Sequence, residues 1–214
     1  MDRLGPRGAL AERAVERHDV IYTGITLSPA QAEIADARLS EVDLSGRSAI
    51  ELCDYRDAQG PYDAIASVEM VEAVGQAYWP AYLDTVARLL RPGGRAAIQY
   101  ILINDALFER YAASSDFIQA YVFPGGCLIS ESRFRKLAEE RGLAWRDVRR
   151  FGPDYAETLR IWRERFDAAV ASQQLPAGFD ERFIRLWRYY LQYCEGGFRG
   201  GGIDVAQVTL EKTA

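Results

Sequence analysis

The sequence predicts an open α/β sheet of mostly parallel strands, and three observations predict it. Apolar strand-like runs alternate with helix-like segments up to residue 104, the pattern of strands joined by helical crossovers. Runs such as "RAAIQYILI" are apolar almost throughout, which suits strands covered on both faces. Polar residues collect just after those runs, in "GITLS", "CDYRD", "SVEMVE" and "QYILIN". In such sheets ligands gather beyond the carboxyl ends of the strands.

The elements follow in order. "ALAERAVER" reads as a short amphipathic helix and "DVIYTGITLS" as a strand. "PAQAEIADARLS" reads as a helix, with Pro29 in its first turn and Ser28 as its N-cap. "SAIELCDY" and "YDAIASVEM" are strands, "YWPAYLDTVARLL" is a helix, "RPGG" is a stop and "RAAIQYILI" is a buried strand. Beyond residue 104 the chain turns irregular and aromatic around a Pro-Gly-Gly turn. A helix "SESRFRKLAEERGL" follows, with Ser130 as N-cap and Gly142 as its end. Two more helices are expected near 155–173 and 180–195, and a last strand, "IDVAQVTLEK", closes the sheet. The reading is one domain over 1–214, with a helical insertion at about 105–195 before the last strands.

Bulk properties exclude several classes. A chain of 214 residues that is 49% hydrophobic can bury one full core. With 26 basic and 31 acidic residues it lacks the basic excess of a nucleic-acid binder. Cys53, Cys127 and Cys194 are widely spaced, so they suggest neither a disulfide framework nor a zinc site and fit a cytoplasmic protein. The start has no apolar signal-peptide core, and no run reaches the roughly 20 residues of a membrane span. Any membrane work is therefore expected at the surface.

The polar strand ends carry two readings each. Thr26 and Ser28 read equally as turn and cap residues. Asp54 and Asp57 read as loop acids bonded to nearby backbone. Glu72 reads as a helix-start carboxylate. Gln99 sits inside an apolar strand, and a buried amide needs partners, so it either ties down a loop or faces a ligand. Together with Glu69 they place a site at the carboxyl edge of the sheet.

The motifs "GITLSPAQ", "DYRD", "SVEMVEAVG", "LLRPGGR", "YVFPGGCL", "DYAETLRIWRERF" and "WRYYLQYCEGGFR" occur in that order. The series resembles the cyclopropane fatty-acyl-phospholipid synthase family, which includes the mycolic acid cyclopropane synthases. "FPGGCL" and "YYLQYCEGGFR" are specific to that family, whereas "LLRPGG" is shared by many methyltransferases. The resemblance implies a Rossmann-like class I methyltransferase sheet and transfer of a methyl or methylene group from S-adenosylmethionine to the double bond of an unsaturated phospholipid acyl chain. It also implies a site peripheral to the inner face of the membrane, and some members dimerise.

By the same resemblance, Gly8, Thr26, Leu27, Ser28, Gln31, Cys53 and Asp54 belong to the cofactor site. A bound bicarbonate serves as the base, held by Glu72, by Gln99 where the family has histidine, by the backbone at Ile101 and by Tyr190. Such an anion beside a cation is strongly favoured in a dry cavity. Cys194 matches a cysteine once taken as a nucleophile, but the chemistry needs no thiolate and a free Cys is usually packed. Tyr55, Trp79 and Phe123 could face the cation, and core packing is the alternative for each.

The sequence departs from the family pattern in three places. The glycine-rich turn corresponds to "DRLGPRGALAERA", where only Gly8 keeps its place. Leu4 and Pro6 replace glycines there, and Gly5 stands at the cysteine. The first strand is expected to be absent and the chain N-terminally incomplete, which would leave unpaired sheet edges. Gln99 cannot shuttle a proton as imidazole can. Ala73 follows Glu72 where the family has histidine, a feature of a branch linked to methylene or methyl branching. Two other readings stay open: a carbon methyltransferase acting on a small soluble metabolite, and a non-catalytic paralogue.

Overall fold

The computed structural model describes residues 2–3 and 8–213. Leu4, Gly5 and Pro6 of the altered glycine turn lie outside the described residues. The strands are β1 Asp2–Arg3, β2 Tyr22–Thr26, β3 Ser48–Leu52, β4 Tyr62–Val68, β5 Leu90–Ile103, β6 Ile129–Ser130, β7 Leu143–Arg150 and β8 Ile203–Lys212. The helices are α1 Ala9–Arg17, α2 Pro29–Glu41, α3 Val71–Val74, α4 Trp79–Leu89, α5 Asp105–Ala112, α6 Phe117–Tyr121, α7 Glu131–Glu139, α8 Gly152–Ala171 and α9 Glu181–Arg199.

The sheet runs β3-β2-β1-β4-β5-β8-β7, with β6 paired to β5. Strands β1 to β5 are mutually parallel, and β8 is antiparallel to both of its neighbours. β6 joins β5 at Leu102 and Ile103, just beyond the Val68–Gln99 pair where β4 leaves off.

Three expectations are corrected. The first strand is short rather than absent. Asp2 and Arg3 pair with Gly24 and Ile25 on one side, and Asp2 pairs with Ala66 on the other, so β2 and β4 are bridged. Two residues suffice for that backbone pairing but make no apolar run. β8 does not close the sheet, because β7 pairs outside it. β7 is an edge strand buried only at Leu143 and Trp145, and its charged remainder hides the strand pattern. Ser130 stands at the N-cap of α7 with no side-chain cap bond. Its hydroxyl donates instead to Asp105 Oδ1 at 2.7 Å.

The helical insertion is split in two, α5–α6 between β5 and β6 and α8–α9 between β7 and β8. The main core lies where α4 and α7 cover one face of the sheet, with Trp79, Tyr100 and Phe134 buried together. A second cluster, Ala156, Leu159, Leu191, Phe198 and Val205, seats α8 and α9 over β8. Ile101 of β5 packs against it. Arg163 and Glu195 add an ion pair between those helices at 3.3 Å. No helix among the described residues is long and apolar enough to cross a membrane.

Candidate functional site at the carboxyl edge of the sheet

Two features occupy the carboxyl edge. The first is a hollow of about 290 Å³ between the ends of β2, β3 and β4. Thr26, Leu27, Cys53, Asp54, Tyr55 and Met70 are among its walls. Ser28 and Gln31 stand behind that wall. Thr26 Oγ1 donates to Gln31 Oε1 at 2.7 Å and accepts from the Ser28 N–H at 3.1 Å. Ser28 caps α2 as expected, accepting from the Gln31 N–H at 3.3 Å. Gly8, at φ +78, caps α1, and an added Cβ would come within 3.2 Å of Ala35 Cβ on α2. Its lack of a side chain therefore serves the α1–α2 contact.

Asp54 is held by Arg56. The guanidinium donates to both carboxylate oxygens, at 2.9 and 2.8 Å, and the Arg56 N–H adds a bond at 2.9 Å. The hydrogen bond from Arg56 is the main reason the Asp54 carboxyl lies below its ordinary pKa. Burial raises the Cys53 thiol, which donates to the Asp54 carbonyl oxygen. Tyr55 faces the hollow, whereas Trp79 is buried in the main core and Phe123 lies beside Tyr190.

The second feature is a polar cluster where β4 and β5 end. The Gln99 amide donates to Glu69 Oε1 at 2.9 Å and to the Tyr155 hydroxyl at 2.8 Å. The Tyr155 hydroxyl in turn donates to Glu69 Oε1. Gln207, opposite Gln99 in the β5–β8 ladder, donates to Gln99 Oε1 at 2.8 Å. Burial, and then the Glu69 carboxylate, push the Tyr155 hydroxyl well above the usual phenol range, so it stays a donor at neutral pH. Glu72 on α3 accepts from the Ile101 N–H through Oε1. The Glu72 carbonyl oxygen holds the Pro-Gly-Gly loop by accepting from the Cys127 N–H at 2.8 Å.

Glu69 has φ 48, a left-handed conformation that costs a residue with a side chain about 1–3 kcal/mol. Its N–H donates to the Gln99 carbonyl oxygen at 2.9 Å, so backbone and side chain both tie it to Gln99.

Tyr155 reaches the cluster because the start of α8 is clamped to β8. Asp204 Oδ1 accepts from the Gly152 N–H at 2.8 Å, and the Phe151 N–H donates to the Val205 carbonyl oxygen at 3.1 Å. Tyr155 then sits one turn into α8, packed edge-on against Phe151 and Phe198. The sequence had pointed to Tyr190 as the tyrosine that holds the anion. Tyr190 instead packs on Trp187 at 4.9 Å, and both it and Cys194 pack against the α8–α9 cluster. The charge of Glu69 still reaches Tyr190. Burial pushes the Cys194 thiol up to about 11, so it is no nucleophile at neutral pH.

The comparisons with known proteins bear on this architecture. The family described as "Mycolic acid cyclopropane synthetase" matches residues 6–208. The chain belongs to that family. Within the cyclopropane synthetase family it is 43% identical over 204 residues to the tuberculostearic acid methyltransferase UfaA1 of Mycobacterium tuberculosis, covering 95% of this chain and 47% of that one. It is 34% identical to the cyclopropane-fatty-acyl-phospholipid synthase of Escherichia coli, covering 96% of this chain and 51% of that one. The chain thus spans about half the length of these relatives. The solved mycolic acid cyclopropane synthase CmaA1, complexed with SAH and CTAB, superimposes with a TM-score of 0.89 at 29% identity. That match covers 99% of this chain and 76% of the solved one.

The bicarbonate that the family resemblance implies does not fit this cluster. Two of the donors expected to hold it, Gln99 and the Ile101 N–H, are already used by carboxylates of the chain, and so is the neighbouring Tyr155. Gln99 and Tyr155 donate to Glu69, and the Ile101 N–H donates to Glu72. A third anion would sit between two carboxylates whose fields both act on Tyr155.

Proposed function

We propose that this chain forms the cofactor-binding and catalytic part of an enzyme that transfers a methyl or methylene group from S-adenosylmethionine to the double bond of an unsaturated phospholipid acyl chain, giving a methylene-branched or cyclopropane product. The observation that carries the proposal is that wall residues of the 290 Å³ hollow are chain neighbours of Glu69 and Glu72 in the Glu69–Glu72–Gln99–Tyr155 cluster. Met70 of the hollow's wall lies in sequence between the two carboxylates, and Ala73, directly after Glu72, lines it too.

The hollow suits the cofactor. Its lining combines apolar side chains with the polar groups of Thr26 and Asp54 at three strand ends, where a nucleoside can lie. Thr26, Leu27, Cys53 and Asp54 would hold it, with Ser28 and Gln31 fixing the Thr26 loop. When bound, the cofactor supplies an electrophilic sulfonium methyl that an alkene can attack, leaving a carbocation on the acyl chain. The residues of the chain provide negative charge beside that cation, and the hydrogen bonds fix its position in advance.

The lipid reading, and approach from a membrane surface, draw support from an aromatic patch. Phe117 of α6 contacts Tyr189 and Tyr193 of α9, with ring centroids 4.6 and 5.7 Å apart. Tyr121, Tyr189 and Tyr193 are 65%, 51% and 39% exposed, and Phe123 is 57% exposed beside them. Amphipathic aromatics of this kind sit well at a lipid–water interface.

Calorimetry with S-adenosylmethionine, followed by mass spectrometry of oleoyl-phospholipid vesicles incubated with protein and methyl-labelled cofactor, tests the proposal. Cofactor heat together with label in the acyl chain is the expected result. Heat with label only in a soluble acceptor would overturn the lipid reading, and no heat at millimolar cofactor would overturn the catalytic one.

A further inference from the structure

We propose that Glu69 is the general base of this reaction, a carboxylate of the chain itself standing where the family resemblance places a bound bicarbonate. The inference rests on the reading of the chain as a lipid methyltransferase.

Four observations carry it. The donors that would hold a free anion converge on Glu69: Gln99 Nε2 at 2.9 Å and the Tyr155 hydroxyl. The amide is aimed from behind. Gln207 donates to Gln99 Oε1 at 2.8 Å, so the Gln99 NH₂ group must face Glu69 and Tyr155. Glu72 has a different task, because its Oε1 is engaged by the Ile101 N–H. Finally, Glu69 keeps a side chain at φ 48, a backbone conformation that glycine adopts without cost. Strain of this kind, retained at a strand end beside a hollow, is characteristic of sites where the side chain itself is used.

The proton step balances without any added anion. A C–H bond of the transferred methyl group breaks. Its electron pair closes the ring as a new C–C bond to the cationic carbon or, after a 1,2-hydride shift has moved the charge to the carbon that bears the methyl, becomes the second bond of a C=CH₂ group, giving the methylene product. The proton passes to Glu69. Both bonds from Gln99 and Tyr155 land on Oε1, so Oε2 is the accepting oxygen. Glu69 is an exposed residue at the mouth of the cluster, so the neutral acid can return its proton to water.

The test compares wild type, Glu69→Gln and Glu69→Gly, with S-adenosylhomocysteine present for the binding measurement and S-adenosylmethionine supplied for turnover. The readouts are carbon-13 NMR of added labelled bicarbonate, and turnover in buffer stripped of carbon dioxide and then replenished. Wild type is expected to show no saturable bicarbonate binding and unchanged turnover in stripped buffer. Glu69→Gln is expected to keep cofactor heat and lose turnover by roughly 10²-fold or more, the usual contribution of a general base. Glu69→Gly, relieved of its left-handed strain, is expected to fold, to bind bicarbonate, and to recover turnover as bicarbonate is added. Wild-type turnover that falls on stripping and returns on replenishment would overturn the proposal, as would Glu69→Gln turning over within a few-fold of wild type. Failure of the lipid-methyltransferase reading looks different: wild type gives no labelled lipid in any buffer, while the NMR arm still reports whether Glu69 keeps bicarbonate out.

Discussion

Gln99 and Gln207 face each other across the antiparallel β5–β8 ladder, and the Gln207 amide donates to the Gln99 side-chain oxygen at 2.8 Å. That bond decides which end of Gln99 points toward Glu69 and Tyr155. Gln207 thus acts through another residue, as a positioning group. Replacing it by Leu removes a hydrogen bond worth about 0.5–1.5 kcal/mol and lets the amide rotate, so turnover should fall up to about tenfold. Gln207→Glu should cost more, because a carboxylate only accepts and forces the Gln99 NH₂ group toward itself. In both variants kcat should fall with KM for the lipid and cofactor heat unchanged. A fall in cofactor affinity instead would show that the bond merely supports the fold.

Gly152 is the second residue whose effect is indirect. A Cβ placed there would lie 2.4 Å from Asp204 Oδ1, the oxygen that accepts from the Gly152 N–H. Gly152→Ala must displace either the carboxylate or the start of α8, and Tyr155 moves with that helix. Overpacking of this kind costs about 1–3 kcal/mol. The melting temperature should drop by roughly 2–4 °C per kcal/mol for a chain of this size. Turnover should drop further than the stability loss accounts for, and Asp204→Ala in the Gly152→Ala background should relieve the clash without restoring the clamp. Equal melting curves for wild type and Gly152→Ala would contradict this account.

What the sequence disclosed and what it hid follow from how local each determinant is. Ser28 and Pro29 announced α2 because cap and helix start act within three residues. The strand ends after β2, β3 and β4 were legible as a ligand edge, and all three border the hollow. β1 was illegible because two residues carry no periodicity, and β7 because only its first three residues meet the core. The polar cluster was half legible. Glu69, Glu72 and Gln99 stand out as polar residues at strand ends, yet the sequence left Glu69 without a role and paired Glu72 with Gln99. Strand register sets Val68 opposite Gln99, which brings the next residue, Glu69, to the Gln99 amide, while Glu72 takes the Ile101 N–H. Tyr155 arrives from 56 residues beyond Gln99, through a clamp between Gly152 and Asp204 that no local pattern encodes. The motif "DYAETL" contains it, and its position one turn into a helix was the available signal.

Alkaline pH should weaken the α9 seam. Burial pushes the Cys194 thiol from its ordinary 9.0 up to about 11, and the Tyr190 hydroxyl from 10.0 up to about 12. Both folded-state values are raised, so the unfolded chain loses these protons first. Their contribution is therefore complete below about pH 9 and is lost as pH climbs toward 12. A shift of this size corresponds to at most about 2–3 kcal/mol per group. Melting temperature should be level from pH 7 to about 8.5 and then decline. Cys194→Ala should flatten the first part of the decline, and alkylation of Cys194 in the folded protein should lag far behind that of a free thiol at pH 8. A melting curve that fell between pH 7 and 8 would assign the alkaline loss to other groups.

The exposed aromatic patch makes a prediction separable from catalysis. Phe117, Tyr189 and Tyr193 form one aromatic group, with Phe117 edge-on to Tyr189 and the two tyrosines exposed, and Asp116 accepts from the Tyr193 hydroxyl at 3.1 Å. Rings held this way can enter the interfacial zone of a bilayer without reorganising. Replacing Tyr189 and Tyr121 by Ser removes apolar area from the surface at little cost to the core, since both rings already face solvent. Surface substitutions of this kind usually change stability by less than about 0.5 kcal/mol. Each ring removed from a lipid interface should lower the vesicle partition coefficient several-fold, as judged from the transfer free energy of its buried area. Cosedimentation with oleoyl-phospholipid vesicles measures this directly, and calorimetry with S-adenosylmethionine provides the control. Vesicle binding should fall while cofactor heat stays constant. If the double variant cosediments like wild type, the lipid is met by another face and the patch is only packing between α6 and α9.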